Sequence, residues 1–409
     1  MSFVCLHNGT VMTGYTLMEH CAVLVEDDRI ADVFSERRFE QKRYPPGTEI
    51  IDVGGNFIVP GFIDTHIHGF GGFGTDNASG PEGTASVLQM SRHLVQYGVT
   101  AFNPTIYPSE PEEMLKAVSA VTNAVGREEG ARIMGLHLEG PFLSPDKRGI
   151  MRPESLRSVD IPLMEKLWEA AEGRIVNMTV APEMKGMREL ALFCLKKGIV
   201  LQAGHTDAKY ENMVEGMQVG ILHATHLFNA MSRMDHRNPN AVGAVLIHPE
   251  MSCEIIADGF HVHPDLLKLL LRDKPVEKIV LITDALKPAG QESGPLLANG
   301  EEVDFVDGIF RRKTDGVIAG SALTMIRGVA NLVKFGYSLE EAIKTASANP
   351  AQVMRYSRKG AIIPGYDADL AVIDSDFRIL AVLCGGLIKK RVPPGSAGSR
   401  GDAAPAGGS

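Results

Sequence analysis

Two histidines stand one residue apart at the end of an apolar run, His66 and His68 in "IVPGFIDTHIHGFGG". The period-two geometry of a strand turns both side chains to one face, so two imidazoles can address a single ion. Other apolar runs end in comparable groups: Glu139, His205, His226 and Asp284. Three or more histidine and carboxylate ligands, with a position left for water, form the donor set of catalytic zinc or a similar divalent metal. Each histidine alone reads more simply as a hydrogen-bonded core residue; six groups converging on one rim point to a metal site. His137 shares the face of Glu139 but lies deeper, so hydrogen bonding inside the core accounts for it and for His223. His248 and His263 fall in surface-like segments.

One rim that collects six side chains requires strands whose ends meet. Eight apolar runs recur: "FIVPGFIDTH", "VTAFNPT", "ARIMGLHLEG", "RIVNMTVAPE", "GIVLQAGH", "GILHATHLFN", "SCEIIADG" and "KIVLITDA". Their hydrophobicity is continuous rather than alternating, which marks parallel strands covered on both faces. Between them lie segments of helical period, such as 85–97 and 187–197, each followed by a glycine that ends a helix. Eight strand-helix units close a (β/α)8 TIM-like barrel, whose active groups sit at the C-terminal ends of the strands. The barrel is expected over 57–357, with helices at 322–335 and 339–348 leading out of it. Both chain ends read as short strands and turns, and 1–56 with 358–392 are expected to pair into one small β-sandwich domain. Residues 393–409 hold no large apolar side chain and are expected to form a flexible tail.

Bulk properties narrow the function. Lys and Arg number 41 against 50 Asp and Glu, a net charge of −9, so nothing favours nucleic acid. The five cysteines are scattered without C-x-x-C spacing, which suits neither a disulfide framework nor a thiolate zinc site and fits the cytoplasm. The start "MSFVCLHNGTVMTG" lacks the features of a signal peptide, and no apolar run approaches the ~20 residues that span a bilayer. No phosphate-binding Gly-Lys loop is present, and the glycines of "GFGGFG" are read as making room at the metal mouth.

Through "PGFIDTHIHG", Asp284 at the last strand and "GYDADLAVID", the chain resembles the amidohydrolase superfamily. Through "GLHLEGPFLSPDKRGI", "GHTDA", "THLFNAM", "IADGFHV", "VLITDA" and "IAGSALTM", it resembles the N-acetylglucosamine-6-phosphate deacetylase family within it. That resemblance implies that Glu139, His205 and His226 bind the main metal and that His66 and His68 open a second position bridged by Glu139. Zinc is the expected ion, iron and manganese being acceptable to the same ligands, with one or two ions per chain. Asp284 then corresponds to the acid-base residue. A divalent metal makes hydroxide available near neutral pH; Asp284 would take its proton as the acetyl carbonyl is attacked and pass it to the leaving nitrogen.

For the sugar phosphate, the resemblance implies contacts from Asn229, the backbone at Ala230, His261 and Ile318, and from Ile150 and Met151 after "KRG". It also implies a homodimer in which Arg237 reaches the phosphate in the neighbouring subunit's site. One departure stands out: where the family commonly has a histidine, this chain has Met151, whose thioether cannot replace an imidazole hydrogen bond. A galactosamine substrate therefore stays open beside glucosamine. Two other readings compete: another amidohydrolase, of the kind that uses a carboxylated lysine where this chain has Glu139, and a catalytically silent scaffold.

Overall fold

The computed structural model describes residues 1–392 apart from 15, 77 and 292; the tail expected at 393–409 lies outside the described residues. Eight strands follow one another in parallel: Phe62–Ile67, Val99–Ile106, Leu136–Glu139, Ile175–Val180, Val200–Ala203, His223–Ala224, Ser252–Ile256 and Ile279–Ile282. Each of the eight apolar runs carries one of them. The first, second, seventh and eighth are buried at every position, which is why their sequences show no alternation. The first and last strands meet just above their ends, where the Asp284 N–H donates to the His66 carbonyl at 2.9 Å and the His68 N–H donates to the Ala285 carbonyl at 3.0 Å. Below that seam the Thr283 hydroxyl donates to Asp64 at 2.6 Å. The sheet is thereby nearly closed as a barrel.

Helices wrap the outside. Met187–Lys197 buries Met187, Leu190, Ala191 and Cys194, the i, i+3, i+4, i+7 stripe that its sequence shows. Left-handed glycines end both this helix and the helical turn Val95–Tyr97 that follows helix Gly83–Leu94, Gly198 at φ +76° and Gly98 at φ +83°. Helices Met325–Lys334 and Leu339–Ala346 leave the barrel near their expected places. No helix among the described residues is long and apolar enough to cross a membrane.

The barrel interior departs from the usual filling of branched apolar residues. Asn103, Thr105, His137, Asn177, Thr179, Gln202, Thr225 and Glu254 are all fully buried in it. They satisfy one another: Asn103 donates to Asn177 at 3.1 Å, Asn177 to Gln202 at 3.2 Å, and Gln202 to Glu254 at 3.0 Å. A buried network of this kind is tolerable only because its members are paired.

The chain ends build a second sheet of eight strands, whose main apolar core takes Val4, Leu6, Val23 and Val25 from one end and Leu370, Val372, Ala381 and Leu383 from the other. Phe57–Pro60 belongs to this sheet, parallel to Phe3–Met12 and antiparallel to Leu370–Ile373. The boundary expected at 56/57 therefore falls one strand early. Continuous hydrophobicity hides the break, which is made at Gly61, where any side chain would collide with Thr100. A further element had no sequence signal: after the eighth strand, Leu297–Ala298, Glu301–Val306, Ile309–Arg312 and Ile318–Ser321 form an antiparallel meander. Its last strand docks on the barrel rim, the Ser321 N–H donating to the Asp284 carbonyl at 3.0 Å.

Candidate active site

Six groups from five strands meet at the C-terminal mouth. Glu139 stands at their centre. Its Oε1 lies 3.2 Å from His205 Nε2, 3.1 Å from His226 Nε2 and 3.3 Å from His66 Nε2, while its Oε2 lies 3.0 Å from His68 Nε2. Asp284 Oδ1 completes the ring at 3.5 Å from Nε2 of both His66 and His68. Two trios result, His66–His68–Glu139 and Glu139–His205–His226, each with ligand atoms close enough to hold one metal ion. The Glu139 carboxylate is common to both, its Oε1 facing His66, His205 and His226 and its Oε2 facing His68.

The backbone bends to make this possible. His205, His226 and Asp284 stand at φ +46°, +29° and +48°, and Phe228 and Ala230 at +79° and +47°. Such conformations are uncommon for residues other than glycine and persist where the surroundings enforce them, typically at functional sites. Three of these residues, His205, His226 and Asp284, are the ones whose side chains leave the ends of their strands to meet Glu139, His66 and His68 in the mouth.

The donor set fits a divalent cation. The Nε2 atoms of His205 and His226 face each other at 3.1 Å with Glu139 beside them, an arrangement in which two lone pairs converge on one point. His66 Nε2 is buried and lies in no hydrogen bond although it is aimed at Glu139. All five donors are nitrogen or oxygen, the ligands that zinc, iron and manganese accept. Outer partners orient the rings: the Lys147 carbonyl takes His205 Nδ1 at 2.8 Å, and Glu254 takes His66 Nδ1 at 3.0 Å. Tyr107 stacks on His68 at 3.7 Å between ring centres.

Charge in the mouth follows from this crowding. Burial disfavours the Glu139 carboxylate, but His66, His205 and His226 outweigh it and hold its pKa well below the usual range. Burial likewise opposes charge on His66, and Glu139, Glu254 and Asp284 together hold its pKa well above the usual imidazole value. His137 differs. Burial and the neighbouring His66 push its pKa well down, and both ring nitrogens are taken by hydroxyls, Thr105 at 3.0 Å and Thr179 at 2.9 Å. His223 bonds Ser252 at 2.7 Å and stays outside both trios.

The residues expected to meet the sugar phosphate divide into three kinds. His261 is fixed by Asp258 at 2.6 Å through Nδ1 and keeps a buried Nε2 without a partner. Asn229, half-buried in the loop after His226, spends its amide N–H groups on the carbonyls of His226 and Leu227; Ala230 is half-buried beside it. Ile318 opens the meander strand that docks against Asp284. Ile150 and Met151 are both buried among apolar neighbours, so the Met151 thioether serves packing. Arg237 is exposed in the loop before Asn238, and its guanidinium forms no hydrogen bond or ion pair among the described residues.

Sequence reading passed over Glu254, fully buried inside "SCEIIADG". A lone acid within a continuous apolar strand was the available signal. It also passed over Tyr107, for which no pattern in the sequence spoke.

This barrel and this histidine-carboxylate mouth define a class. Residues 57–389 match the family described as "Amidohydrolase family", and the chain belongs to it. It is 34% identical over 384 residues to the N-acetylglucosamine-6-phosphate deacetylase of Bacillus subtilis (strain 168), covering 92% of this chain and 95% of that one. The N-acetylgalactosamine-6-phosphate deacetylase of Shewanella sp. (strain ANA-3) is 32% identical over 92% of this chain and 93% of its own length. Among solved structures, a mutant of the Mycobacterium smegmatis N-acetyl-D-glucosamine-6-phosphate deacetylase in complex with N-acetyl-D-glucosamine-6-phosphate superposes with a TM-score of 0.85. The two are 30% identical, over 95% of this chain and 100% of that one. Within the family, the chain thus groups with these deacetylating enzymes.

Proposed function

We propose that this chain hydrolyses the N-acetyl group of N-acetylglucosamine 6-phosphate to give glucosamine 6-phosphate and acetate. The observation that carries the reading is Glu139, shared between two histidine pairs and flanked by Asp284. Glu139, His205 and His226 would hold one divalent ion, most simply zinc, and Glu139, His66 and His68 a second. Such an ion would supply Lewis acidity, lowering the pKa of water to about 7 and drawing charge from the amide carbonyl. Asp284 does the proton work: it accepts a proton from the attacking water and delivers it to the nitrogen as the C–N bond breaks. The amine then leaves neutral. His261 offers its free Nε2 to a substrate oxygen, and Asn229, the Ala230 backbone and Ile318 border the sugar, with Ile150 and Met151 behind them. Arg237, charged and without a side-chain partner among the described residues, suits a phosphate at the site of a second copy, so the functional unit in this reading is a homodimer. All five cysteines are free and buried, which supports a reducing compartment, the cytoplasm.

N-acetylgalactosamine 6-phosphate is the second reading, favoured by one feature: Met151 packs in the core and offers no polar contact at a position where the family commonly has histidine. Acetate release from the two 6-phosphates, compared as kcat/KM, tests both. The proposal expects turnover of the glucosamine compound with the galactosamine compound slower; the reverse order selects the second reading, and no acetate from either removes both.

A further inference from the structure

We propose that Glu254 is a positioning residue of the metal centre, a carboxylate that fixes His66 so that its Nε2 faces Glu139 and that simultaneously anchors the backbone of His226. This rests on the metal-centre reading above and adds to it a residue outside both trios. Glu254 sits in the middle of Ser252–Ile256 with no exposed surface. Its Oε2 accepts from His66 Nδ1 at 3.0 Å and from the His226 N–H at 3.2 Å. One carboxylate oxygen therefore reaches a ligand of each trio from the side opposite Glu139. With the proton on Nδ1, the lone pair of the His66 ring is on Nε2, where an ion needs it.

Glu254 cannot swing away, because its other oxygen is held in turn. Gln202 donates to Oε1 at 3.0 Å, and the same amide nitrogen reaches Thr225 Oγ1 at 2.9 Å. The Gln202 carbonyl accepts from Asn177, which accepts from Asn103, which accepts from the Tyr356 hydroxyl at 2.6 Å. Every donor in this chain points toward the carboxylate end, so the network prescribes two acceptor oxygens at position 254. A buried carboxylate is costly unless its bonds are met in full, and here one of the bonds it receives is from a metal-facing imidazole. Glutamine has the same shape but only one acceptor oxygen. Its amino group would confront either the N–H of His66 or the amide of Gln202, so the substitution changes hydrogen bonding with little change in volume.

The test is zinc affinity, measured by competition with a chelator on the full chain. Glu254→Gln is expected to weaken zinc binding about 10–100-fold, the usual effect of losing such an outer partner. Most of that loss should vanish when the same change is made in a His66→Asn background, since the partner is then gone. Unchanged affinity overturns the proposal, as does an equal loss in both backgrounds, which would mark a merely structural role. Imidazole 15N shifts in the zinc-loaded wild type provide a check that needs no variant: a His66 proton on Nδ1 is expected, and any other protonation state refutes the assignment. A wild type that binds no zinc would remove the metal-centre reading itself, whereas normal binding by the wild type and by Glu254→Gln alike removes only this step.

Discussion

Replacing Asp284 by asparagine separates proton transfer from architecture. The backbone at this position carries the barrel seam, with the N–H bonded to the His66 carbonyl at 2.9 Å and the carbonyl bonded to the Ser321 N–H at 3.0 Å. Neither bond involves the side chain. The φ of +48° suits asparagine, one of the residues most often found in the left-handed region, so the variant introduces no new strain. Its volume is the same and its contacts with Nε2 of His66 and His68, at 3.5 Å, are geometrically retained. What disappears is a group able to take and return a proton. General acid-base catalysis contributes about 10²–10⁴-fold, and in the proposed reaction one residue serves both halves, so kcat should fall by about 10³–10⁴, equivalent to roughly 4–5.5 kcal/mol of barrier. Acetate release under saturating substrate measures the fall, and circular dichroism with thermal unfolding verifies an unchanged fold. A variant within a few-fold of wild-type kcat would refute Asp284 as the proton carrier.

Other outcomes follow from the same geometry. Arg237→Ala should raise KM about ten- to hundredfold, the loss of a charge-assisted pair with phosphate, with kcat less affected. Mixed with Asp284→Asn, it should regain activity, because a hybrid of the proposed homodimer would carry one site with both residues intact; no recovery on mixing would place Arg237 in its own chain's site. Lys274 is buried with its ammonium donating to the carbonyls of Val245 and His248, and burial lowers its pKa below the ordinary 10.5. The unfolded chain therefore binds more protons between the folded value and 10.5, and stability rises with pH across that window. Urea unfolding between pH 8 and 10.5 should show this rise in wild type relative to Lys274→Met; parallel curves would contradict it.

The rim of the barrel was legible because each of its groups closes a continuous apolar run, and continuity identifies a parallel strand whatever follows it. His66 and His68 were legible as a pair because spacing by two is itself a statement about one face. Helix 187–197 could be read to the residue from its stripe and its closing glycine. The polar interior was not legible. Asn103, Asn177, Gln202 and Glu254 lie on four different strands of otherwise largely apolar sequence, and nothing local shows that they touch across the barrel. The same limit hid the strand break at Gly61, where two sheets share one uninterrupted hydrophobic segment. The meander from 297 to 321 went unseen because four of the six residues of its longest strand are exposed and three are charged, and its position is set by docking on the rim rather than by its own pattern. The placement of Met151 in the core likewise depends on neighbours distant in sequence.

Metal content gives the shortest route to the central claim. Elemental analysis of the chain after zinc loading and dialysis, with Glu139→Gln treated in parallel, should find bound zinc in the wild type and almost none in the variant, since Glu139 belongs to both trios. A wild type without metal, or a variant that retains the wild-type content, would contradict the account.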